Sequence, residues 1–387
     1  MSGDVLAGIR VLDLTSSLAG PYCTQLLAAL GADVVKVERP GAGDEARDWG
    51  PPFHDGSSVM FFAANAGKRS LALDLKSPGG RDAALRLAEG ADVFVQSLRP
   101  GAAERLGLGP AVARARNDRL VYCSIRAYGA AGPLADEPGY DPLMQAAAGI
   151  ISLTGEADRP GVRVGPSLVD LGTATWAAFG VVTALLQRER TGRGAELDVS
   201  LYETAVALVP YQLAEAAATG RAPGRHGTDF PLIAPYGVYA TADGELMIAA
   251  GNDRLFRSFC EVLGLPELAS DPRFASNTLR SENRAVLMPP IVERLAAEPS
   301  GHWIERLRAA GVPVTAVRDV AEVARDDQTA ALGILQDVDG QVTVGPPLSF
   351  DGQRPHYRSA PPRAGEHSAE ILAEAGFSEA EIAELTS

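Results

Sequence analysis

Apolar positions along the first two hundred residues follow two alternating rhythms. The stretches "IRVLDL" (9–14), "DVVKVE" (33–38), "RSLALDL" (69–75), "ADVFVQS" (91–97) and "RLVYCSIRAYG" (119–129) are short and rich in β-branched residues, with Gly, Asp or Thr at their ends. They read as strands. Between them, "CTQLLAALG" (23–31) and "PGGRDAALRLAEG" (78–90) place apolar residues at helical spacing and stop on glycine, and "GAAERLGLG" (101–109) makes a helical turn. Strands alternating with helices predict an α/β fold with a parallel, doubly wound sheet, and ligand chemistry at the carboxyl ends of its strands.

The rhythm changes after a long apolar helix that includes "WAAFGVVTALL" (176–186) and runs into the basic, glycine-stopped "QRERTGRG". "AELDVSLYETAVAL" (195–208) reads as a strand followed by a helix, and "ATGRAPGRHGTDFPLIAP" (218–235) as a Gly/Pro-rich loop. "GVYATADGELMIAA" is a hairpin turning at Asp243-Gly244, followed by helices near 253–264, 279–296 and 301–310. This predicts a Rossmann-like domain over 1–200, a smaller α+β domain over 225–325, and linkers at 201–224 and 326–329. The tail from 330 carries strand signals in "DVDGQVTVGPPLSF" and an acidic helix in "SAEILAEAG". Pattern alone leaves open whether it rejoins the first domain.

At 387 residues the chain is long enough for two domains with full cores. A net charge of −14 argues against a nucleic-acid partner, whose footprint needs a concentrated basic face. It leaves room for an anionic small molecule held by local arginines. Cys23, Cys123 and Cys260 lie far apart, without CxxC or a histidine at metal spacing, and read as buried thiols of a reducing compartment. No metal site is expected. The first residues lack the basic and apolar regions of a leader, and no uninterrupted apolar run reaches the ~20 residues of a membrane span. The expectation is a soluble, cytoplasmic protein.

Several residues invite a chemical reading. Glu38 closes the second strand, where a dinucleotide fold keeps its ribose-binding acid, but the first turn, "TSSLAGP", lacks the GxGxxG that brings backbone onto a pyrophosphate. A solvated acid is the better reading. Arg39, Lys68, Arg69, Arg99 and Arg105 each follow a predicted strand or open a helix; together on one sheet edge they would suit a phosphate-bearing ligand. The five histidines show neither metal spacing nor triad logic. Tyr140, in "EPGYDPLMQAAAG", reads by default as a half-buried packing residue. Asp170, in "VRVGPSLVDLGTATWAA", is a carboxylate in an apolar setting without a basic neighbour in sequence. On position alone it is the N-cap of a helix opening near Leu171. Burying such an acid is costly unless it is bonded or chemically employed.

Taken together, these segments resemble the family III CoA-transferases. The resemblance runs nearly end to end: "GIRVLDLTSSLAGPYCTQLLAALGADVVKVERPGAGDEAR", "NAGKRSLALDLKSPGGR", "VFVQSLRPGAAERLGLG", "LVDLGTATWAAFGVVTALLQRERTGRG", "LRAAGVPVTAV" and "GEHSAEILAEAGFS". It implies a large Rossmann-like domain completed by the C-terminal tail, a small domain, and two chains interlocked as a homodimer. It makes Asp170 the nucleophile that takes an acyl group from a CoA thioester and then CoA itself, with an acyl-CoA and a carboxylic acid as substrates and no tightly bound cofactor. Helix-start amides there would stabilise the oxyanion. It also implies that CoA lies along Ser17, Leu18, Ala19, Arg39, Leu73, Ser97, Leu98 and Arg105, with the two arginines on phosphates and Tyr140 near the reacting centre.

One departure stands out. No GGGG run occurs between 205 and 270, where formyl-CoA transferase carries a glycine lid, which argues against oxalate and formyl substrates. The fold also includes α-methylacyl-CoA racemases, which move a proton between a histidine and an aspartate. Their "GHD" is "GYD" here, and a tyrosine of ordinary pKa near 10 is a poor base at neutral pH, so racemase is the second reading.

Overall fold

The structure, a computed structural model, describes residues 4–386. The chain divides into two compact units. The first gathers residues up to Ile150, Arg163–Ala218 and the chain from Asp327 onward. Its centre is a six-stranded sheet of β1 (Arg10–Leu14), β2 (Asp33–Glu38), β3 (Lys68–Ala72), β4 (Val93–Gln96), β5 (Val121–Arg126) and β6 (Glu196–Ser200). Every neighbouring pair is parallel, in the order β3-β2-β1-β4-β5-β6. β4 is buried throughout and β5 at all but its last residue, as expected of central parallel strands covered on both faces. The chain leaves β1 toward β2 and β3, then returns to β4 on the other side. The β1/β4 boundary is therefore the topological switch point, where such sheets open a crevice for ligands.

Helices cover both faces. Leu71, Leu73, Phe94 and Tyr122 form a core with Ala83 and Ala84 of α2 (Pro78–Glu89) and with Ile371 and Leu372 of the tail helix Ser368–Glu374. That helix docks through polar contacts as well: Ala72 N–H donates to Ser368 Oγ (3.0 Å) and Ser70 N–H to His367 Nδ1 (3.3 Å). α1 (Ala19–Ala29) packs along a 24-residue helix whose N-terminal turns meet a short helix from the preceding loop. The short one is α3 (Asp141–Ala147) and the long one α4 (Leu168–Thr191).

α4 is the crossover from β5 to β6. Its buried positions, among them Val169, Thr173, Ala177, Val181, Ala184 and Arg188, form one stripe at helical spacing. A Cβ at Gly180 would lie 2.7 Å from Leu197 Cδ2, so this glycine lets α4 sit close on β6. α4 is longer than the apolar stretch 176–186, and by length and composition it could cross a membrane. Here it is a sheet-covering helix, packed against β5, β6 and α1. Residues 201–224, read from sequence as a linker, contain α5 (Leu201–Ala207) and α6 (Pro210–Thr219). Ser200 caps α5 by accepting the Glu203 N–H at 3.1 Å.

The second unit comprises Ile151–Val162 and Thr219–Asp326. It holds a three-stranded antiparallel sheet of β7 (Tyr236–Ala240), β8 (Glu245–Ala249) and β9 (Val314–Ala316), in the order β9-β8-β7. The β7–β8 hairpin turns at Asp243-Gly244, as the sequence predicts. β9 is too short and too close to Pro313 to be read in advance. Phe256, Phe259, Leu287, Ile291, Trp303 and Leu307 form its core. The helix expected over 279–296 is two, Asn277–Glu282 and Arg284–Ala296.

Candidate active site

A buried network of charge links Asp13 of β1, Lys36 and Glu38 of β2, and Lys68, the first residue of β3. Asp13 accepts from Thr15 Oγ1 (2.5 Å), Thr24 Oγ1 (2.6 Å) and Lys68 Nζ (3.1 Å). Burial alone would raise its pKa, but Lys68, Lys36 and the two hydroxyls outweigh that and hold it below the ordinary value. Lys68 also donates to Pro21 O and Asn65 Oδ1, both at 2.8 Å; burial, opposed by Asp13, brings it down to about 8. Lys36 pairs with Asp44 at 2.8 Å and donates to Thr15 O at 2.8 Å. Glu38 is neither solvated nor turned toward a ribose. It is buried and takes Arg47 through both oxygens (2.8 and 2.7 Å), with Ser70 Oγ at 2.6 Å and the Asp44 N–H at 2.9 Å.

This network fixes the first turn of the sheet. Asp44 Oδ1 accepts the Ser17 N–H at 3.1 Å, and Ser17 Oγ donates to Glu45 at 2.7 Å. Ser17 is thereby held at φ +72°, a conformation uncommon for a residue with a Cβ. Ser16 N–H donates to Ser97 Oγ at 3.1 Å, tying the β1 and β4 loops together across the switch point. A Cβ at Gly20 would stand 2.3 Å from Thr15 Cβ, so only glycine fits beneath this turn. Pro21 has no N–H, and among the described residues the N–H groups of Leu18, Ala19 and Gly20 meet no acceptor.

The sequence-derived CoA residues separate into two groups. Ser17, Ser97 and Leu98 are partly exposed on loops at the sheet's carboxyl edge, as is the exposed Arg39. Among the described residues the Arg39 side chain has no ion pair or hydrogen bond, whereas the exposed Arg105 folds back toward Pro100 O at 3.4 Å. Leu18 and Ala19 are 7 % exposed at the start of α1, while Leu73, at 1 %, belongs to the core against α2 and the tail helix. The wider basic cluster does not assemble. Lys68 is buried, and Arg69 sits at the start of β3, paired with Asp33, Glu370 and Glu374.

Asp170 is not the N-cap of α4. The helix opens at Leu168, with Ser167 at the cap position making no side-chain bond, and Asp170 is its third residue. The capping acid comes from elsewhere: Asp141 Oδ2 accepts the Val169 N–H (2.7 Å) and the Asp170 N–H (3.2 Å), while its Oδ1 accepts Gln145 Nε2 (2.6 Å). Leu168 N–H donates to Pro166 O at 2.8 Å and Leu171 N–H to Ser167 O at 3.0 Å. The N–H groups of Leu168 to Leu171 are thus used, and these helix-start amides, expected to receive an oxyanion, are occupied. The Asp170 carboxylate itself accepts no hydrogen bond among the described residues. Burial, reinforced by Asp141, pushes it up to about 7. Because β5 and β6 are parallel, α4 runs back against them and begins at the carboxyl edge of the sheet, as does α1.

Tyr140 is 54 % exposed, immediately before α3, and gives that helix no side-chain cap. The residue that sequence reasoning missed is Asp141. In "GYDPL" it looks like a local helix-start acid, and its partner is 28 residues away.

A model of CoA-transferase family III matches residues 6–368. The acetyl-CoA:oxalate CoA-transferase of Acetobacter aceti is 40 % identical over 375 residues, 96 % of each chain. The succinyl-CoA:glutarate CoA-transferase of Mus musculus is 36 % identical over 95 % of this chain and 86 % of its own. A CAIB/BAIF family protein from Brucella suis superposes with a TM-score of 0.88 at 37 % identity, covering 96 % of this chain and 99 % of the other.

Proposed function

The chain belongs to CoA-transferase family III, and from that premise we propose that it moves CoA between carboxylic acids through covalent intermediates on Asp170. The observation that carries this is a half-buried carboxylate in the first turn of α4, free of hydrogen bonds among the described residues and lifted to about 7 by burial and by Asp141. An unbonded, partly desolvated carboxylate is costly to keep unless it reacts.

One Asp170 oxygen attacks the thioester carbon; the C–S bond breaks and CoA leaves as thiolate, giving an aspartyl acyl anhydride. The thiolate then attacks the aspartyl carbonyl, forming an aspartyl-CoA thioester and releasing the donor acid as carboxylate. The acceptor carboxylate attacks that thioester and displaces thiolate again. Attack of the thiolate on the acceptor's acyl carbonyl yields the new acyl-CoA and restores Asp170. Each step exchanges one acyl bond for another, which covalent catalysis makes accessible. Moving an acyl group from a thiolate of pKa about 8.5 to a carboxylate of about 3.9 is uphill. A carboxylate raised to about 7 narrows that gap. We assign the oxyanion to the unpartnered N–H groups that begin α1, since those of α4 are taken.

Relatives named for oxalate and glutarate share a dicarboxylate, and we extend the proposal to a short dicarboxylic acceptor; oxalate thereby returns despite the missing glycine run. A homodimer is part of the reading: Trp176 (53 %), Phe179 (63 %) and Leu186 (56 %) leave an apolar stripe of α4 exposed. The test is a panel of acyl-CoA donors and carboxylic acids read by mass spectrometry. CoA exchange and a hydroxylamine-sensitive adduct on the Asp170 peptide are expected, both absent from Asp170→Ala. Full exchange by that variant overturns the mechanism.

A further inference from the structure

Asp141 contributes its carboxylate to a helix other than its own. It is 2 % exposed and carries three acceptor contacts: the Val169 and Asp170 N–H groups and Gln145 Nε2. Gln145 in turn accepts the Val164 N–H at 2.8 Å, so the loop leading into α4 is held by the same pair of side chains. Below, Thr173 Oγ1 donates to Thr204 Oγ1 of α5 at 2.9 Å, anchoring the second turn of α4. The first turn is therefore built around Asp141, and Asp170 is its one acidic group without a hydrogen bond.

We propose that Asp141 is the positioning residue for Asp170: it takes the backbone donors of α4's first turn, so the reacting carboxylate is aimed and unbonded, and it sets a second negative charge against it. This rests on the reading of Asp170 as nucleophile and adds a residue to it. A capping side chain from α4 itself would satisfy the same amides without fixing the turn to α3. A neutral cap would leave Asp170 a weaker base.

Of the other charged groups on the elements packed around α4, Glu203 of α5 accepts Ser200 Oγ at 2.6 Å and Asp198 of β6 pairs with Arg126 of β5 at 2.6 Å. Glu196 is exposed at the start of β6, the end away from the first turn of α4, and α1 carries no charged residue. Among the described residues, Asp141 is the charged group that, after burial, raises Asp170.

The test uses two variants and two readouts. Asp141→Asn keeps the shape and an acceptor oxygen but loses the charge, whereas Asp141→Glu keeps the charge and displaces the oxygens. The carboxyl carbon of Asp170, labelled with 13C and assigned through Asp170→Asn, is titrated in the ligand-free protein. The pH dependence of kcat/KM is measured alongside. In Asp141→Asn, the Asp170 titration and the limb of the rate profile should both move toward acid by roughly one pH unit. In Asp141→Glu, the titration should stay near that of the wild type while the plateau rate falls about 10- to 100-fold, with KM for acyl-CoA little changed. An Asp170 titration unmoved in Asp141→Asn overturns the proposal, as does a wild-type plateau in Asp141→Glu. A shifted titration with an unmoved rate limb instead supports the hold of Asp141 on Asp170 and removes Asp170 from the chemistry.

Discussion

Glu38 at the end of β2 holds Arg47 through both carboxylate oxygens, at 2.8 and 2.7 Å, and the pair steadies the loop that fixes Ser17. Asp44 is the link: its N–H goes to Glu38 and its Oδ1 takes the Ser17 N–H. Removing one partner of a buried, bonded ion pair costs about 3–5 kcal/mol, because the other charge stays behind without its counter-ion. Arg47→Met should lose that much by urea denaturation at pH 7. Of the variant that remains folded, KM for acyl-CoA should rise, since the turn at Ser17 loses its support. A stability equal to wild type would contradict the role assigned to the pair.

Asp170 should weaken the fold it serves. Its folded pKa lies above the unfolded value near 3.9, so the protein binds this proton more tightly when folded. The penalty appears as pH rises above about 4 and is complete above about 7, where it reaches up to about 4 kcal/mol. Asp170→Asn, inactive in exchange, should therefore be more stable than wild type at pH 8, with the gap shrinking toward pH 4. A gap that widens on acidification would show that Asp170 is held by a favourable contact.

Arg39 and Arg105 differ from Leu73 in what their loss should do. A charge-assisted phosphate contact contributes roughly 1.5–3 kcal/mol, so Arg39→Ala and Arg105→Ala should raise KM for acyl-CoA about 10- to 100-fold with little change in the acceptor's KM. Arg105 must first leave Pro100 O, so its effect should be the smaller. Leu73→Ala should cost about 2–5 kcal/mol of stability, as a core truncation does, because the side chain is in the core. Unchanged KM values in both arginine variants would move the nucleotide elsewhere.

A racemase would exchange the α-proton of its substrate with solvent. An (R)-2-methylacyl-CoA incubated with the protein in deuterated water should gain no deuterium above background, since Tyr140 is an exposed tyrosine where the racemases have histidine. Deuterium incorporation with epimerisation would replace the transferase reading of this site.

Five strands of the Rossmann-like sheet were legible as short apolar runs with glycine or a polar residue at their ends, and the edge strand β6 as an alternation of polar and apolar residues. Asp170 stands out for a similar reason: a lone acid in an apolar helix is a local anomaly, and the role proposed for it comes from the resemblance. Its surroundings do not. That Glu38 faces Arg47 and Ser70, that Arg69 pairs with Asp33 and the tail helix, and that Leu73 lies in the core depend on which elements become neighbours. Above all, Asp141 looks in sequence like a cap for the helix it begins, and only the packing of α3 against α4 turns its carboxylate to Val169 and Asp170. Sequence pattern records which groups must be buried or bonded. The pairing of a buried charge with its counterpart is a long-range choice, made when the helices dock and the sheet order brings distant loops to one edge.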